Sequence, residues 1–402
     1  MTTVLWLSLA LVAFSYLGYP LVLVVWTGLS EALDAMRSLG SAADQRAAPA
    51  SGDAGWPSVT IVMSAFDEES CIRTKVENCL ALDYPPERLE IVIGCDGCSD
   101  RTAEIARAAG GGRVQVVELA PRGGKASVLA RLVPAARSEI VVLTDANVLV
   151  DRGAIRALVR SFRDPTVGAV VGRLRLVAAG GAGIEEGAYW RYETLLKYLE
   201  GKNGCVLGAN GALYAIRRLL FSPLRADTII DDFVIPVRVA VRGWRVPFAA
   251  DAVAREEAAS GPGAEFARRA RIGAGNWQAL ARIPELLDPR RGFLFFAFVS
   301  HKLLRWAAPA LLAAALVANA ATAAQPGAWG ARALLALQLA FYALALAGGR
   351  AGPRASRLAA AAHHFVAMNA ALATGFCRWV RGSQRAAWDR TERVQQGRVG
   401  AA

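Results

Sequence analysis

The stretch EIVVLTDANVLVD, residues 139–151, decides the fold, because an apolar run there stops on a carboxylate. Ile140, Val141, Val142 and Leu143 form a short, β-branched-rich segment, the pattern of a strand buried on both faces of a parallel sheet. Asp145 and Asn147 stand where such a strand ends. Ligands of open α/β sheets bind outside the carboxyl ends of the strands, which makes this acid a site candidate; a turn or helix-cap role is the alternative.

The sequence around it repeats the pattern. VTIVMSAF (59–66), LEIVIG (89–94) and VQVVEL (114–119) read as strands, and residues 69–82, 102–109, 125–136 and 154–162 as helices. Strands alternating with helices imply right-handed βαβ units, hence an α/β fold with a parallel sheet covered on both faces. Four further polar features fall at strand ends or loops of that sheet. They are SAFDEES (64–70), CDGCSD (95–100) with Asp96 and Asp100, PRGGKAS (121–127) with Lys125, and IIDDF (229–233) with Asp231 and Asp232. PRGGKAS is not a P-loop, since Leu119 stands where the first glycine is required and Ala126 follows the Gly-Lys pair. Taken singly, each feature also reads as a cap, a turn or a solvated surface group. Together, acids and a lysine after successive strands suit a phosphorylated ligand with a divalent cation.

A hydrophobic content of 54% and a mean hydropathy of +0.31 point to membrane spans added to one globular domain. Residues 4–29 carry no charge, lack a basic leader and are long enough to cross a bilayer, so they read as a retained anchor. The expected organisation is an anchor (1–30), a linker rich in Ala, Gly and Ser (31–57), a globular domain (58–290), an interfacial helix (291–306), a transmembrane region (307–380) and a basic tail (381–402). In the transmembrane region, 358–380 is a third candidate span after 307–324 and 330–346. The positive-inside rule meets a conflict here: the arginines at 350–357 and those of the tail cannot both be cytoplasmic if one crossing separates them.

The net charge of +12 does not read as nucleic-acid binding, because the arginines are scattered or flank apolar segments and no recognition motif accompanies them. The six cysteines do not form a disulfide framework, and the Cys95–Cys98 CxxC has no second pair. All three histidines, His301, His363 and His364, fall in the C-terminal apolar region, so acid–base chemistry in the globular part rests on carboxylates.

The order of these motifs resembles that of the membrane-integrated family-2 glycosyltransferases of the processive polysaccharide synthase type: hyaluronan, chitin, cellulose and poly-N-acetylglucosamine synthases. The resemblance runs from about residue 59 to residue 305. It implies a glycosyltransferase-A-like domain flanked by transmembrane helices, at a bacterial-type inner membrane with the domain in the cytoplasm. SAFDE then places Phe66 and Glu68 near the nucleotide base. CDGCSD resembles the motif contacting uridine through Asp96, with Cys95 where an Asp is usual, and Lys125 matches a lysine near the diphosphate. TDAN resembles the DxD motif, implying Mg²⁺ or Mn²⁺ at Asp145, with the uncharged Asn147 in place of the second acid.

By the same resemblance Asp232, beside Asp231, is the general base of an inverting transfer from a UDP-sugar. GANGALYAIRR (208–218) implies acceptor contacts through Gly208, Asn210 and Gly211, with Asp231 on the same acceptor side. RRARI (268–272) aligns with QxxRW, so that Arg271 stabilises the leaving diphosphate and Arg268 belongs to the acceptor side. Ile272 replaces the tryptophan that stacks on the acceptor in polymerising relatives. The expected activity is extension of a β-linked polysaccharide within the lipid bilayer. A single addition onto a lipid-linked acceptor and a non-catalytic sugar-nucleotide sensor are the alternatives, and an accessory subunit is left open.

Overall fold

The computed structural model of the chain describes residues 1–40, 55–177, 187–257 and 262–386. Two compact units emerge: Leu23–Ser260 with Arg385–Ala402, and Met1–Val22 with Gly261–Gln384. In chain order the helices are α1 (Thr2–Ala13), α2 (Tyr19–Gly40), α3 (Ile72–Leu80), α4 (Thr102–Gly110), α5 (Lys125–Ala135), α6 (Ala154–Arg160) and α7 (Ala188–Lys202). They continue with α8 (Asp231–Val241), α9 (Pro262–Arg282), α10 (Phe293–Ala297), α11 (Leu304–Ala323), α12 (Trp329–Ala351) and α13 (Arg357–Val380).

The first unit is built on one eight-stranded sheet. Its strands are β1 (Val59–Ala65), β2 (Leu89–Asp96), β3 (Val114–Leu119), β4 (Ile140–Leu143), β5 (Leu149–Val150), β6 (Ala169–Val177), β7 (Tyr214–Arg217) and β8 (Phe248–Glu257), in the order β3-β2-β1-β4-β7-β6-β8-β5. The β3-β2-β1-β4 half is parallel, as the alternation of strands and helices requires, with Val62 opposite Leu143 and Ala65 opposite Cys95. Four residues suffice for β4 because every one of them is buried, and burial of both faces offsets the shortness of the strand. The other half is mixed: β7 runs antiparallel to β4 and β6, while β6 and β8 are parallel. The chain leaves the middle of the sheet at β4 and re-enters at the β5 edge, so residues 144–148 connect strands far apart in the sheet. That connection carries Asp145 and Asn147.

Three expectations shift against the described elements. The helix expected over 69–82 is the shorter α3, beginning where the Glu68 carbonyl accepts the Ile72 N–H at 2.9 Å. Residues 31–40, expected in the linker, extend helix α2 to Gly40, and 41–54 lie outside the described residues. The segment expected as a separate interfacial helix is the start of one continuous helix, Phe293–Ala323, joined through a π-helical turn at Phe298–Leu303.

In the second unit, α13 lies along α9, and the approach is close enough that a Cβ on Gly375 would meet the Ala270 carbonyl at 2.3 Å. Trp277 on α9 packs against Trp306, Phe376 and Trp379. Among the described residues, three helices are long and apolar enough to cross a membrane: Thr2–Leu33, Phe293–Ala323 and Trp329–Ala351. Helix α13 is not one of them.

Candidate active site

The acidic centre forms where three connections of the sheet unit meet. Lys125, at the start of α5, reaches Asp145 Oδ1 at 2.7 Å and Asp231 Oδ2 at 3.2 Å. Gly211 marks the convergence: a Cβ there would lie 2.9 Å from Asp145 Oδ2, 3.6 Å from Asp232 Oδ2 and 3.7 Å from Lys125 Nζ. Asp232 opens α8 beside Asp231, and its carbonyl accepts the Ala209 N–H at 2.9 Å, which ties the 208–211 loop to the helix start. Asp145, Lys125, Asp231, Asp232 and Gly211 are thus brought together, as their places in the sequence imply.

The charges explain each other. Burial alone lowers the pKa of Lys125, but Asp145, Asp231 and Asp232 together raise it well above the ordinary lysine value. Tyr214 on β7 is pushed well above its usual range by burial and then by Asp231, Asp232 and Asp145, so its hydroxyl belongs to the same surroundings. Three carboxylates face one ammonium here, and the buried Tyr214 hydroxyl has no hydrogen-bond partner among the described residues. An excess of negative charge on oxygen donors fits a divalent Mg²⁺ or Mn²⁺ with a diphosphate.

Asn147 donates to Glu256 Oε1 on β8 at 3.2 Å. An aspartate at 147 would place two carboxylates side by side, so the amide is accounted for by its neighbour, and Glu256 supplies an acid that the sequence reading passed over.

Asp96 is buried, and its two oxygens accept the Gly123 and Gly124 N–H groups, each at 2.7 Å. It thereby fixes the turn from which Lys125 projects. Phe66 lies under the Arg122 guanidinium, 3.4 Å from ring centroid to Cζ, and Glu68 accepts the Cys71 thiol at 3.1 Å. Asp67, Cys98 and Asp100 gather within 4.8 Å of one another. The two acids there serve the loop: Asp67 accepts the Ser99 N–H at 2.7 Å and Asp100 that of Thr102 at 2.9 Å. The Cys98 thiol donates to the Ala65 carbonyl at 3.5 Å, and its interaction with Cys95 holds it below the ordinary value and pushes Cys95 up.

On the acceptor side, Gly208 has φ +89° and would clash with Phe233 if it bore a Cβ, while Asn210 accepts from Lys197 on α7. Arg268 and Arg271 belong to α9 of the other unit, both half-buried, with Arg268 3.7 Å from Glu265. A separate cleft of about 460 Å³, lined by Trp26, Ser30, Leu33, Lys202 and Arg245 among others, contains none of the acids of the centre.

Sequence reasoning missed Lys75. Ile72, Lys75, Val76 and Cys79 are the inward positions of α3 at spacing i, i+3, i+4, i+7, and a lysine in such a stripe is the signal that was available. Its Nζ donates to Thr144 Oγ1 at 3.1 Å and to the Val148 carbonyl at 2.6 Å.

Comparison with known proteins bears on the family and the fold. Residues 57–275 match the model of the family described as "Glycosyltransferase like family 2". Beta-monoglucosyldiacylglycerol synthase of Synechocystis is 26% identical over 265 residues, covering 61% of this chain and 54% of that protein. Poly-beta-1,6-N-acetyl-D-glucosamine synthase of Staphylococcus aureus is 27% identical over 197 residues, covering 47% of each. The chain thus spans about half the length of the curated relatives it matches. A mannosyltransferase from Pyrobaculum calidifontis, solved in complex with GDP-Man and Mn²⁺, superimposes with a TM-score of 0.65 at 26% identity, covering 94% of this chain and 99% of that one. With an α/β domain of this architecture and a family match extending over more than half its length, the chain belongs to glycosyltransferase family 2 and is a glycosyltransferase.

Proposed function

We propose that this protein transfers a sugar, with inversion, from a nucleotide-sugar donor to a lipid-linked acceptor at the membrane surface. The observation that carries the reading is the meeting of Asp145, Asp232 and Lys125 around Gly211. Asp232 takes the proton of the acceptor hydroxyl as that oxygen bonds to the anomeric carbon, and the bond from that carbon to the diphosphate breaks on the opposite face. A carboxylate suits this step, because no histidine lies in the sheet unit. Lys125 meets the negative diphosphate from the start of α5, and Gly211, lacking a side chain, leaves room between the acids. Asp145 and Asn147 would hold a Mg²⁺ or Mn²⁺, whose positive charge, when bound, would offset the charge developing on the leaving diphosphate.

The lipid-linked acceptor is favoured by α9. Ile272 stands where polymerising relatives carry a stacking tryptophan, and nearby Trp277 is used in packing against Trp306, Phe376 and Trp379. Extension of a β-linked polysaccharide is the second reading, supported by the similarity to poly-N-acetylglucosamine synthase. The catalytic unit is placed in the cytoplasm, where nucleotide sugars are available to a transferase anchored in the inner membrane. Incubating the protein in lipid nanodiscs with labelled UDP- and GDP-sugars, Mn²⁺ and membrane lipid extract separates the readings. One sugar on an extractable lipid supports the proposal, whereas a ladder or high polymer supports the second reading.

A further inference from the structure

Lys75 is 1% exposed, in a position where the other inward residues of α3 are Ile72, Val76 and Cys79. A lysine so deeply buried persists only when its donors are met by acceptors. Its two acceptors, Thr144 Oγ1 and the Val148 carbonyl, flank the segment that carries Asp145 and Asn147. Thr144 in turn donates to the Ala212 carbonyl at 2.6 Å, next to Gly211. One turn further along α3, Asn78 donates to the Val150 carbonyl at 2.9 Å and accepts the Val150 N–H at 2.8 Å. Lys75 and Asn78 are three residues apart and so project from the same face of the helix. Between them they grip residues 144, 148 and 150.

That segment needs such a support. It joins β4 in the middle of the sheet to β5 at its edge, and β5 has only two residues of its own pairing to β8. We infer that Lys75 and Asn78 are positioning residues that fix the 144–150 segment from below, so that Asp145 and Asn147 present their oxygens to a nucleotide-bound divalent cation in one geometry. The inference rests on the reading of Asp145 and Asn147 as the cation's ligands. Supports that orient metal ligands are worth about 10- to 100-fold in metal affinity. Neither residue touches the cation, the donor or the acceptor in this account.

The test measures Mn²⁺ affinity by electron paramagnetic resonance on the full chain in nanodiscs, with UDP or GDP present, and nucleotide affinity without metal by calorimetry. Lys75→Met keeps an unbranched apolar side chain in the buried slot. Asn78→Ala is the independent second variant. The expected result is a rise of about tenfold in the Mn²⁺ dissociation constant for each variant, with metal-free nucleotide affinity unchanged. Mn²⁺ affinity equal to wild type in either folded variant overturns the clamp. A parallel loss of metal-free nucleotide affinity also overturns it, because that pattern means general damage to the unit. Failure of the underlying reading is distinguishable: wild-type protein would then show no nucleotide-dependent Mn²⁺ binding, or Asp145→Ala would leave that binding intact.

Discussion

With φ at +72°, Gly211 occupies backbone space that other residues enter only under strain, and its missing side chain is the room between Asp145 and Asp232. Gly211→Ala is expected to cost about 1–3 kcal/mol of stability through that strain, and to reduce turnover further by pushing Asp145 from its place. A thermal melt and an assay on the same sample check both, and an active, equally stable variant would contradict the geometry. Cys98 makes a second prediction at this scale. Since the Cys95 thiol favours the Cys98 thiolate, alkylation of Cys98 by iodoacetamide should reach its half-maximal rate at a pH below that of an ordinary thiol. Cys95→Ala should move that midpoint upward, and mass-spectrometric site assignment reads it. Asp145 was legible in the sequence because it follows the apolar run of β4, Lys125 because it opens a helix after a Gly-Gly turn, and Asp231 and Asp232 because they precede an amphipathic segment. Lys75 was not, because lysines are rarely buried, and its place in the apolar stripe of α3 is outweighed by that tendency until its partners in space are seen. Nor was Glu256, whose link to Asn147 spans 109 positions of sequence.

At the level of elements, the parallel half of the sheet was readable from runs of four to eight apolar residues, whereas β6, β7 and β8 escaped. Their pairing joins segments distant in sequence, and β8 (FAADAVAREE) mixes exposed and buried positions, so it lacks a continuous apolar signal. The N-terminal helix outran its expected end, since helix formation to Gly40 depends on local propensity that an Ala-, Gly- and Ser-rich composition conceals. The conflict in the positive-inside rule disappears if α13 does not cross. Helix α13 carries His363, His364 and Arg378 and packs along α9, and it is not among the helices apolar enough to span. If only Thr2–Leu33, Phe293–Ala323 and Trp329–Ala351 cross, the arginines at 350–357 and the tail lie on one side, with the catalytic unit. A cysteine introduced at position 385 (Arg385→Cys), in a background with Cys377 replaced by serine, should be labelled by an impermeant maleimide only in inverted membrane vesicles. Labelling in right-side-out vesicles would mean that α13 crosses.

For the whole molecule, one chain carries a glycosyltransferase family 2 domain and a helical unit with helices apolar enough to cross a membrane. Its central claim is that Asp232 is the base of a metal-assisted transfer. The most direct measurement is nucleoside-diphosphate release by the purified protein in nanodiscs, with Mn²⁺, membrane lipid extract and a panel of UDP- and GDP-sugars, set beside Asp232→Asn. Wild-type protein should release the diphosphate with a subset of donors and stop on chelation, and Asp232→Asn should lose about 10²- to 10⁴-fold in rate while binding the nucleotide as tightly. Turnover of Asp232→Asn at the wild-type rate would contradict the account.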